Sequence, residues 1–156
     1  MFDQISDVKV FAVSASLLYV KFLATTMIQG RKAFAAGTRM AEDNKLPMAK
    51  GKPCQGQADM ADKAVKLAVE DEMRWKRIIQ NDLESMPMAF VVFWSAISAQ
   101  VNPDVTKTLL LAYTAARISH TASYALSMPR ARMACWMTGS FCIVTAAVNA
   151  VMASLS

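Results

Sequence analysis

The stretch MACWMTGSFCIVTAAVNAVMASL, Met133 to Leu155, holds no charged residue. A helix that crosses the hydrocarbon of a bilayer needs about 20 mainly apolar residues, and this run meets that length outright. A helix of a soluble bundle keeps one polar face, and this run has none. It is therefore read as a membrane span, and the rest of the chain is sorted against it.

Three further runs fit the same pattern less cleanly. Val8 to Gly30 is interrupted by Lys9 near its start and by Lys21. Pro87 to Val101 is uncharged and continues backward into the charged segment RWKRIIQNDLES, Arg74 to Ser85. Val105 to Met128 contains Lys107, Arg117 and His120. The expected fold class is all-α, an integral membrane four-helix bundle in a single domain over 1–156. Its helices are expected at about 8–30, 64–101, 104–127 and 131–155, with a loop over about 31–62. Composition agrees. Hydrophobic residues make up 54% of the 156 positions, above the usual range for soluble domains, and Ala, Leu and Met favour helix. Asn102 before Pro103 reads as a helix cap followed by a first-turn proline, and Ser127-Met128-Pro129 reads as a turn.

Charge sets the orientation. Arg31, Lys32, Arg39, Lys45, Lys50, Lys52, Lys63 and Lys66 lie between the first two spans, and Arg130 and Arg132 follow the third. The opposite side has only Lys9 and Lys107. Basic loops face the cytosol, so both termini are expected on the far side. The net charge of +5 is accounted for by topology and by attraction to anionic lipid, with no nucleic-acid partner implied. The acidic start, Met1 to Asp7, is unlike the basic start of a signal peptide. Cys54, Cys135 and Cys142 form no CxxC pair, and His120 is the one histidine, so no metal site is expected.

Ionisable residues inside a membrane are costly and mark function. Arg74, Arg77, Asn81 and Glu84 recur at helical period along the second helix, and Arg117, His120 and Tyr124 do so along the third. Asp82 lies off the first stripe, where a pair with Arg117 would satisfy both. Two facing polar stripes make a wet cavity. Guanidinium forks suit carboxylates, and Glu84 suits an ammonium. A ligand with two carboxylates and an amine fits. Glutathione is such a ligand, as are glutamate, dipeptides and phosphate-bearing lipids. A buried ion network that fixes helix register is the structural alternative.

The segment Asn81 to Ser85 (NDLES), with Arg74 and Arg77 ahead of it, resembles the second-helix signature of the membrane-associated proteins in eicosanoid and glutathione metabolism, Glu-Arg-x-x-Arg-x-His-x-Asn-Asp-x-Glu. ARISHTASY, Ala116 to Tyr124, is similar to that family's third-helix motif, Arg-x-x-His-Thr-x-x-Tyr. RKAFA, Arg31 to Ala35, resembles the segment after its first helix. The resemblance runs from about residue 16 to the end, and its nearest subgroup is that of microsomal glutathione transferase and microsomal prostaglandin E synthase.

The resemblance implies a homotrimer with glutathione as co-substrate and no metal. Arg74, Arg77, Asn81, Glu84, Arg117, His120 and Tyr124 would bind glutathione. Arg132 would stabilise its thiolate, an assignment that also aligns Gly139 with a family glycine, and Arg130 is the competing choice. The activity implied is glutathione transfer to hydrophobic electrophiles and reduction of lipid hydroperoxides, in the endoplasmic reticulum or the mitochondrial outer membrane. The family's Glu falls on Met73, with Glu72 one place early, and its signature His falls on Ile79. Met133 and Trp136 replace a Ser and a Tyr of the prostaglandin synthases, which argues against that activity. A non-catalytic scaffold or lipid-binding protein of the same fold is the alternative from another class.

Overall fold

The computed structural model describes residues 6–55, 57 and 59–155, so the acidic start at Met1 to Ile5 and the last residue lie outside the described residues. Four α-helices account for most of the chain: α1 (Asp7–Ala36), α2 (Lys63–Ser98), α3 (Pro103–Ala125) and α4 (Pro129–Leu155). Short 3-10 turns at Ala41–Lys45 and Pro47–Ala49 interrupt the α1–α2 connection. There is no strand among the described residues.

Three helix ends differ from the sequence expectation, all for the same reason. α1 passes through Gly30 and ends at Ala36. Gly37 then takes φ of 67°, and the Thr38 amide donates to the Ala33 carbonyl at 3.2 Å. That bond and a left-handed residue make a Schellman closure. α2 ends at Ser98, short of Val101. Gln100 has φ of 54°, and the Val101 amide donates to Ala96 at 3.1 Å. α3 closes alike at Ser127, φ 57°, with Met128 donating to Ser123 at 2.8 Å. Gly37, the glycine among these three, is also crowded by backbone. A Cβ there would lie 3.1 Å from the Pro53 carbonyl oxygen. Asn102 caps α3 as expected, accepting from the Asp104 amide at 2.9 Å.

Two helices, α1 and α4, are long and apolar enough to cross a membrane. Only 17% of the apolar window in α1 and 22% of that in α4 is buried. A core helix of a soluble protein would be mostly buried, so these two faces are built for lipid or for another chain. α2 and α3 carry embedded charges and do not pass the same test.

The chain divides into two compact units, Met1–Lys21 with Asn81–Ser156, and Phe22–Gln80. In the first unit Phe11 meets Phe90 and Trp94, with ring centroids at 6.0 and 5.5 Å. Leu18, Ala89, Phe93, Leu110, Tyr113 and Ala146 are buried within the same unit. In lipid such packing is driven by close contact and polar pairing rather than by release of water. Gly139 shows this on α4. A Cβ there would lie 3.7 Å from the Tyr113 ring and 3.9 Å from Arg117 Cδ. Alanine therefore fits in ordinary contact, but a branched side chain does not. Gly139→Ala is expected to leave thermal stability in detergent unchanged or raised by up to ~1 kcal/mol, through helix propensity. Gly139→Leu is expected to lower it by about 1–3 kcal/mol through overpacking. Melting followed by circular dichroism checks both.

Candidate functional site

In the first unit three charged side chains meet within the helices. Lys21 Nζ of α1 donates to both carboxylate oxygens of Asp82 on α2, each at 2.6 Å. Arg117 Nη2 of α3 donates to Asp82 Oδ1 at 2.5 Å. Lys21 also donates to Thr121 Oγ1 at 3.1 Å. The Asp82 side chain is 0% exposed, Arg117 2% and Lys21 12%. Buried charges persist only when paired and hydrogen-bonded, and this network does both. The pairing of Asp82 with Arg117 is the one its off-stripe position suggested. Lys21 was missed as a partner, although a lone Lys in an apolar run already calls for a carboxylate.

A cleft of about 210 Å³ lies in the same unit, lined by Asn81, His120, Tyr124, Arg132, Met133 and Trp136. The network sits directly behind these residues in the chain. Asp82 follows Asn81, Thr121 follows His120, and Arg117 lies one turn before His120. The Arg132 guanidinium stands over the Tyr124 ring, 4.4 Å from its centroid. That cation–π contact holds the charge at the cleft without neutralising it. His120 packs edge-on against Tyr124 with centroids 5.3 Å apart. Its Nδ1 is buried without a hydrogen-bond partner, so the ring keeps a polar atom to spare. Met133 and Trp136 are half exposed and give the cleft an apolar wall. Arg130, the competing choice, is exposed and does not line it.

The structure thus brings together Asn81, His120, Tyr124 and Arg132 among the residues that the sequence singled out. Arg117 is committed to Asp82 and does not line the cleft. Glu84 is exposed on α2. Arg74 and Arg77 fall in the second unit.

The second unit has its own polar features. Glu72 is fully buried, and its Oε1 accepts from Gln29 at 2.7 Å and Lys76 at 2.9 Å. Lys32 pairs with Asp71 at 2.7 Å. Arg77 lines a shallow cleft there with Gln29, Lys76, Ile79 and Gln80. Arg39 stacks on Phe34 at 4.7 Å from the ring centroid. The departure from the family signature at Met73 acquires a physical meaning here. Met73 is 47% exposed, and the acid one place earlier is the one that turns inward.

The sequence model of the MAPEG family matches residues 10–152, and the chain belongs to that family. No curated protein matches it. The family's members are membrane proteins, as the two unburied apolar helices lead one to expect.

Removing the shared carboxylate leaves two cations buried against each other. Asp82→Ala is expected to lose about 3–5 kcal/mol of stability, the scale for breaking a buried pair by deleting one partner. Asp82→Glu, which keeps the charge, is expected to lose less. Thermal melting and the yield of monodisperse protein in detergent check the order.

Proposed function

We propose that this MAPEG-family chain is a membrane-bound glutathione transferase in which Arg132 holds the glutathione sulfur as thiolate. The observation that carries the proposal is the cleft itself. Among the described residues no carboxylate pairs with the Arg132 guanidinium, which shares the cleft with Asn81, His120 and Tyr124, and Met133 and Trp136 complete the lining. The polar lining suits the peptide, and the Met133 and Trp136 side chains suit an electrophile that dissolves in lipid.

The chemistry follows from the charge. A free thiol has a pKa of about 8.5 and is mostly protonated at neutral pH. A guanidinium nearby favours the anion. The thiolate attacks the carbon that carries the leaving group of an aryl halide. A carbon–sulfur bond forms and halide departs. With a lipid hydroperoxide the same anion attacks the distal peroxide oxygen. The lipid alcohol leaves, and a second glutathione converts the resulting sulfenic acid to the disulfide and water.

At about 210 Å³ the cleft is smaller than the usual small-molecule pocket of roughly 300–1,000 Å³. This supports a site completed by a neighbouring copy in a homotrimer, where Arg74, Arg77 and Glu84 join in holding the carboxylates and amine. In the same proposal all four helices span the bilayer as one domain, the basic loops face the cytosol, and the membrane is that of the endoplasmic reticulum. The Arg117 contribution is indirect, since its guanidinium is given to Asp82.

Arg132→Ala is expected to leave the Kd for glutathione within about threefold and to lower turnover with an aryl halide about 100-fold, the scale for losing one group that stabilises a developing anion. Arg132→Lys, a point charge without the planar fork, is expected to lie between. Steady-state kinetics with isothermal titration of glutathione measure both. Normal turnover in Arg132→Ala rules the assignment out.

A further inference from the structure

We propose that Lys21 is a positioning residue for the cleft, acting through Asp82 and Arg117 to keep one surplus positive charge behind its wall. The inference rests on the glutathione reading above and adds a residue to it from a helix that does not line the cleft. The charged groups of the network are Lys21 from α1, Asp82 from α2 and Arg117 from α3, and Gly139 of α4 packs against Arg117. Two cations share one carboxylate, so the network carries a formal charge of +1.

Arg117, with 2% exposure, already neutralises Asp82, but it reaches only Oδ1. Lys21 supplies the partner of Oδ2 and, with it, a second cation. That cation costs desolvation energy in an apolar helix, and comparison of the arginine and neutral variants separates its charge from its hydrogen bond. It also clamps both Asp82 oxygens and Thr121, next in sequence to Asn81 and His120 of the cleft wall. In a low-dielectric interior that field reaches across a helix diameter and favours an anion on the other side. A thiolate or carboxylate in the cleft feels Arg132 directly and the network from behind.

Lys21→Met keeps the stem and removes the charge, and Lys21→Arg keeps the charge. Purified full-length protein in detergent is mixed with saturating glutathione at neutral pH, and the thiolate fraction is read from ultraviolet absorbance beside thermal melting. Lys21→Met is expected to lower the thiolate-to-thiol ratio about tenfold, the effect of one unit charge across a helix diameter at an effective dielectric of about 20. Lys21→Arg is expected to restore it to within about twofold. Lys21→Gln, which keeps a donor to Asp82, serves as a second neutral variant and should resemble Lys21→Met. A folded Lys21→Met with wild-type thiolate overturns the proposal. So does a Lys21→Arg as defective as Lys21→Met, because packing rather than charge would then be at work. If wild-type protein forms no thiolate, the transferase reading fails and this inference falls with it. A thiolate in wild type that neither neutral variant diminishes overturns the inference alone.

Discussion

A carboxylate with 0% exposure, held between a lysine and an arginine from two other helices, is the constraint around which the first unit is arranged. None of these three charges is tolerable alone in an apolar setting. Together they fix where Lys21, Asp82 and Arg117 must meet, and hence the rotation of α1, α2 and α3 within that unit. Once Asp82 points inward, Asn81 is turned about a hundred degrees away from it, into the cleft. Once Arg117 and Thr121 face the same carboxylate, His120 and Tyr124 are set on the cleft side of α3. The small residue at Gly139 then lets α4 close over Tyr113 and Arg117, which brings Arg132 and Trp136 to the same opening.

This arrangement separates two tasks that compete in one chain. The charges of Lys21, Asp82 and Arg117 are paired and largely buried, whereas the Arg132 guanidinium is half-buried over an aromatic face. In the proposed function that placement leaves its charge available to a thiolate. The apolar wall continues the exposed face of α4, where Met137, Phe141, Val144 and Val148 follow.

Much of this was legible in the sequence. The uncharged run from Met133 to Leu155 announced a membrane helix, and the spacing of Asn81, Arg117, His120 and Tyr124 announced polar faces. The cap at Asn102 was legible because its signal is local. Three helix ends were not. Gln100 and Ser127 adopt left-handed conformations that their residue types do not advertise, and α1 runs through Gly30 before it closes at Gly37. The role of Lys21 was missed because its partners lie 61 and 100 residues away, beyond any periodicity. Which arginine lines the cleft also needed three dimensions. Arg130 and Arg132 stand two residues apart in sequence, and Arg132 is the one in the cleft lining.

The proposed function requires that this cleft ionise a thiol. The direct measurement is ultraviolet difference absorbance when glutathione is mixed at neutral pH with the purified wild-type protein in detergent. The account predicts a thiolate signal that saturates with glutathione and disappears when a reactive aryl halide is added. Glutathione binding by calorimetry without any thiolate signal would contradict it and would favour a protein of the same fold that holds its ligand without activating it.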